Sequence, residues 1–114
     1  MGMALVVEDD PELRMLVSLV LEQALDERVV ECESAEAAVA ILDQCGRDVD
    51  VMVTDVELAG VMTGLELAAI ARRRFPQLNV IVTSGGDKPD ALPDNTIFLP
   101  KPWRALDLIQ RAQR

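Results

Sequence analysis

The sequence predicts an α/β fold: a parallel sheet with helices on both faces. Two patterns predict it. Short apolar runs alternate along the chain with stretches whose apolar residues recur at helical spacing, and such alternation implies parallel strands joined by crossover helices. The runs are also apolar almost without interruption, as in strands covered on both sides.

The first run, Ala4-Leu5-Val6-Val7, stops abruptly at Glu8-Asp9-Asp10 and reads as a buried strand. Asp10-Pro11-Glu12 reads as a helix start, with a capping acid, proline in the first turn and an acid at the positive end. Leu13, Leu16, Val17, Val20, Leu21 and Ala24 then form one apolar stripe. Val29-Val30 suits a brief second strand. Ser34 can cap a second helix through Ala35, Ala38, Val39 and Leu42, with Gly46 just past its end. Val49 to Thr54 is a third strand, ending at Asp55. A loop with Gly60 and Gly64 leads into a third helix through Leu65, Ala68 and Ala71, closed by Arg72-Arg73-Arg74 and Pro76. Val80-Ile81-Val82 forms a fourth strand and Ile97-Phe98-Leu99 a fifth. The last helix carries Leu106, Ile109 and Ala112. Asp87 to Asn95, with two prolines and little apolar content, is too short and broken for a full fourth helix.

A length of 114 residues fits one domain, 1–114, and half the residues are hydrophobic, enough for a core without staples. No apolar run approaches the roughly 20 residues of a membrane helix, and no signal peptide is visible. A cytoplasmic protein without membrane contact is expected. The net charge is −9, which disfavours nucleic acid as a partner. The chain has no histidine, which removes Ser-His-Asp and Cys-His mechanisms. Catalysis would fall to carboxylates, lysine, hydroxyls or a metal. Cys32 and Cys45 lack CxxC spacing and read as free thiols.

In open parallel sheets, ligands bind at the carboxyl ends of the strands. Here the first strand ends in Glu8-Asp9, the third in Asp55, the fourth in Ser84 and the fifth in Lys101. Each has a bland alternative when taken singly: a cap, a turn or a surface loop. Their joint placement at successive strand ends favours a shared site. Three close carboxylates either have raised pKa values or hold a cation among them, and Mg²⁺ suits an oxygen-rich set. Asp55 could then act as a nucleophile on an incoming phosphoryl group, with Lys101 and the metal stabilising the transferred oxygens. Ser84 could hydrogen-bond the product, and Gly85 leaves room beside it.

Val6-Val7-Glu8-Asp9-Asp10, Val53-Thr54-Asp55-Val56-Glu57-Leu58 with Gly64-Leu65-Glu66-Leu67, Val82-Thr83-Ser84-Gly85 and Phe98-Leu99-Pro100-Lys101-Pro102 occur in that order. Together they resemble the receiver domain of two-component response regulators, from Leu5 to about Ala112. The resemblance implies a flavodoxin-like (CheY-like), doubly wound five-stranded sheet of order 2-1-3-4-5. It implies phosphorylation of Asp55 by a histidine kinase or histidine phosphotransfer protein. It assigns Mg²⁺ to Asp9, Asp55, Glu8 (through water) and the backbone carbonyl of Glu57. It makes Ser84 and Phe98 the switch pair and Lys101 the phosphoryl contact, with a cis Lys101-Pro102 bond. Thr83 should point away from Ser84. Three departures stand out: one extra residue in the loop after Asp55, a shortened or disordered fourth helix, and Phe98 in place of the commoner tyrosine.

The functional expectation is phosphorylation-dependent switching of an interaction surface toward a downstream protein target. The chain would be no enzyme beyond its own phosphorylation and slow dephosphorylation. The alternative is a degenerate receiver that binds proteins without regard to phosphate. A flavin carrier is disfavoured because acids stand where a phosphate loop would be needed. A phosphatase of the DxD type is disfavoured because Asp55-Val56-Glu57 follows the third strand and not the first.

Overall fold

The computed structural model describes residues 2–113. The elements run β1 (Met3–Val7), α1 (Pro11–Leu25), β2 (Arg28–Cys32), α2 (Ala35–Cys45), a 3₁₀ turn (Gly46–Asp48), β3 (Val49–Asp55), α3 (Gly64–Arg74), β4 (Asn79–Ser84), β5 (Ile97–Pro100) and α4 (Ala105–Ala112). All strand pairs are parallel, in the order β2-β1-β3-β4-β5. The chain moves outward from β1 to β2, then returns across β1 to β3 and continues to β5. The reversal leaves a crevice above β1 and β3.

The helices start where the sequence supplies caps. The Asp10 carboxylate accepts from the amides of Glu12 (3.0 Å) and Leu13 (3.5 Å). Ser34 Oγ accepts from Ala37 N at 3.1 Å. Thr63 and Glu66 form a reciprocal capping box at α3. Gly46 stands just past the end of α2, as the sequence suggests. It caps the helix in a right-handed conformation, and its glycine identity answers to packing, because a Cβ would fall into the Phe75 ring.

The sheet divides the core in two. Leu5, Val7, Met52, Val80 and Val82 face α2 and α3 through Ala38, Leu42, Leu67, Ala68 and Ala71. Ala4, Val6, Val51, Val53, Ile81 and Leu99 face α1 and α4 through Val17, Leu21 and Leu108. Alternate strand residues thus feed opposite faces. Each fully buried aliphatic side chain contributes about 1.5–3 kcal/mol.

Three apolar assignments change. Leu16 is 50% exposed and Ala24 is exposed too, so α1 buries Val17 and Leu21 of the expected stripe together with Ser18. Leu106 is 54% exposed, while Leu108 is the buried residue of α4. No helix forms between β4 and β5, so the last helix is the fourth. Leu92 and half-buried Phe98 pack against the α2–α3 side there. The Lys101-Pro102 peptide is cis.

Candidate functional site

Four strand ends converge at the crevice. Glu8 follows β1 directly. Its amide donates to Cys32 O at 3.0 Å, which turns the side chain inward, where the residue is only 4% exposed. Its Oε2 accepts from Asp10 N at 3.1 Å. Asp9 is exposed at the rim. Asp55 closes β3 and is 7% exposed. One carboxylate oxygen from each of Glu8, Asp9 and Asp55 lies within 4.8 Å of the other two.

Among the described residues, Lys101 is the cation that answers these acids. Lys101 Nζ lies 2.9 Å from Asp55 Oδ2 and 3.7 Å from Glu8 Oε1. Burial alone would lower the lysine's pKa, but Asp55 and Glu8 outweigh it and the net shift is upward. Burial pushes Glu8 up to about 7, and the neighbouring Asp55 and Asp9 add to the rise against the opposing Asp10 amide and Lys101. A carboxyl whose pKa is raised first by burial and then by acidic neighbours gains from added positive charge. A hard divalent cation with oxygen ligands fits this set.

The surrounding backbone shapes the site. Glu57 is exposed, and its amide turns back to donate to Asp55 Oδ1 at 3.3 Å. Gly64 packs so closely that a Cβ would collide with the carbonyl oxygen of Asp55. Ser84 ends β4, 4% exposed. Its Oγ accepts from Gly86 N at 3.1 Å, leaving its proton available for another acceptor. A Cβ on Gly85 would meet open space. Phe98 pairs in register with Val82, two residues before Ser84, and lies on the α2–α3 side.

The sequence-predicted residues Glu8, Asp9, Asp55 and Lys101 therefore come together. Ser84 stands at the end of the strand beside β3, and its carbonyl accepts from Lys101 N at 2.8 Å. The contacts of three side chains escaped sequence reasoning. Arg14 Nη1 donates to the Glu8 carbonyl at 2.9 Å while its Nε pairs with Glu31 at 3.1 Å. Glu36 Oε2 accepts from Met62 N at 2.9 Å and so holds the tip of the loop after Asp55. Trp103 Nε1 donates to Thr83 Oγ1 at 3.1 Å, on the face opposite Phe98. Only Trp103 carried a signal, as the one tryptophan of the chain, two residues past the lysine.

Comparison with known proteins identifies the family. The response regulator receiver domain family matches residues 4–113. The chain is 31% identical over 115 residues to the heme response regulator HssR of Staphylococcus saprophyticus, covering 97% of this chain and 50% of that protein. It thus spans about half the length of that relative. A response regulator receiver protein from Sinorhizobium medicae superposes with a TM-score of 0.90 at 23% identity, over 98% of this chain and 91% of that one. A receiver domain protein from Clostridium thermocellum gives 0.88 at 21% identity, over 99% and 92%. These two likenesses concern the fold. With the match from residue 4 to residue 113 and the acids, hydroxyl and lysine at its strand ends, the chain belongs to the receiver domains of two-component response regulators.

Proposed function

We propose that residues 1–114 form a single receiver domain that accepts a phosphoryl group on Asp55 with Mg²⁺ bound beside it. The donor is a histidine kinase or histidine phosphotransfer protein, and the reaction is cytoplasmic. The observation that carries this reading is the Lys101 Nζ–Asp55 Oδ2 contact of 2.9 Å at the edge of the three-carboxylate cluster. Glu8, Asp9, Asp55 and the backbone carbonyl of Glu57 would hold the metal, which supplies charge neutralisation of the phosphoryl oxygens.

The chain's own residues do the rest. An Asp55 carboxylate oxygen attacks phosphorus, an O–P bond forms, and the bond to the donor's nitrogen breaks with its electron pair leaving on that nitrogen. Lys101 gives up its contact with the carboxylate and turns its donors to the transferred oxygens. The free hydroxyl proton of Ser84 donates to one of them. As Ser84 moves, Phe98 repacks beside Val82, and the change reaches the surface around β4 and β5, where a downstream protein target would read it. Phe98 carries no hydroxyl, so its two positions differ by packing alone.

The test is incubation with acetyl phosphate and Mg²⁺, read by intact mass. The wild-type chain gains one phosphate's mass and Asp55→Asn gains none. Equal labelling of both would remove Asp55 from the mechanism. The helix-free segment between β4 and β5 favours a second reading, a phosphate-independent interaction module. A wild-type chain that takes no label and binds no Mg²⁺ would select it.

A further inference from the structure

Beyond the phosphoryl site itself, the segment that presents Lys101 is clamped twice by consecutive residues of β4. Lys101 N donates to Ser84 O at 2.8 Å, and Trp103 Nε1 donates to Thr83 Oγ1 at 3.1 Å. Thr83 is 3% exposed and pairs in register with Asp55. Its carbonyl accepts from Val56 N at 3.0 Å. One threonine therefore ties the residue after Asp55 by its backbone and the residue two past Lys101 by its side chain.

We propose that Thr83 and Trp103 are positioning residues for Lys101, acting through this hydrogen bond and touching neither phosphate nor metal. The proposal rests on the acceptor role of Asp55 given above. A lysine is a flexible four-carbon stem, so the placement of its ammonium depends on how firmly its backbone is held. The indole, packed against the α1–α4 side of the core, fixes the far end of the Lys101–Trp103 turn. Its N–H needs an acceptor in that half-buried place, and Thr83 Oγ1 supplies it. Ser84 thus holds the Lys101 backbone by its carbonyl and offers its hydroxyl to the transferred group, while Thr83 holds the far end of the turn through Trp103.

The experiment uses the full chain with three substitutions. Thr83→Val keeps the shape and removes the acceptor, Thr83→Ser restores it, and Trp103→Phe removes the donor. Labelling by acetyl phosphate is followed by intact mass, and Mg²⁺ binding by titration calorimetry. Thr83→Val is expected to slow labelling about tenfold, as misplacement of a reacting group does, with Mg²⁺ affinity unchanged. Thr83→Ser should label at the wild-type rate. Should Thr83→Val fail to fold, the same split is read from Trp103→Phe. Wild-type labelling rates in these variants would overturn the proposal and leave Asp55 as acceptor. A parallel loss of Mg²⁺ affinity would overturn it too, by showing a general loosening of the rim. Absence of label on the wild-type chain would overturn the acceptor role and the proposal with it.

Discussion

Lys101 Nζ approaches Asp55 Oδ2 to 2.9 Å while remaining 3.7 Å from Glu8 Oε1, so one ammonium leans toward the nearer of two buried carboxylates. Removing it leaves three acids facing each other. Lys101→Ala should lower the stability of the metal-free protein by about 1–2 kcal/mol, less than for a fully sealed pair because the lysine side chain is 27% exposed. Urea denaturation in EDTA measures this. Mg²⁺ should recover much of the loss, since it replaces the missing charge.

Glu8 is the opposite case. Its carboxyl is raised to about 7 by burial and by its acidic neighbours, so its charge opposes folding while the metal is absent. Glu8→Gln should stabilise the metal-free protein by about 1 kcal/mol near neutral pH, because a side-chain oxygen remains for the Asp10 amide. The same change should weaken Mg²⁺ binding about tenfold. Thermal melts with and without Mg²⁺, and calorimetry, would show the two effects with opposite signs.

Gly64 offers a steric test. A methyl group there would press on the carbonyl oxygen of Asp55, which is backbone and cannot swing aside. Gly64→Ala should cost about 2 kcal/mol and displace the turn from Asp55 to Glu57. A fall in both denaturation midpoint and Mg²⁺ affinity is expected. An unchanged midpoint would mean that the loop yields freely.

Cys32, 5% exposed, has its thiol pushed up to about 11 by burial, against a small opposing effect of Arg14. At pH 8 only about one native molecule in a thousand carries the thiolate, so alkylation of Cys32 should be slow and that of half-buried Cys45 faster. The sign for stability follows from the raised native value. The thiol's contribution is fully present below about 9, where the unfolded chain begins to ionise, and is lost as pH rises through about 11. Cys32→Ala should flatten that part of the alkaline stability profile, measured by urea denaturation from pH 8 to 11.

The strands were legible because β1, β3 and β4 are covered on both faces and so read as largely apolar runs, whereas their order came from the family resemblance. Asp10 and Ser34 were legible as caps because their chemistry is local. The stripe of α1 was misphased at Leu16, since Met15, Leu16 and Leu19 are apolar yet exposed and blur the period. In α4, only eight residues long, Leu106 with Ile109 and Leu108 with Ala112 offer two competing phases. Contact with α1 selects Leu108. The site acids and Lys101 were readable from their places at strand ends. The supports were not: Arg14 to the Glu8 carbonyl, Glu36 to the Met62 amide and Trp103 to Thr83 are side-chain bonds set by tertiary packing, with no spacing that marks them.

The chain contains a single tryptophan and no tyrosine, and that indole is fastened to β4 at Thr83, the register partner of Asp55. Its near-ultraviolet absorbance and emission therefore arise overwhelmingly from one chromophore, whose surroundings are the β5–α4 turn. An optical melting curve of this protein reports when that turn lets go. Comparison with the far-ultraviolet signal of the helices would reveal whether the rim detaches before the sheet does.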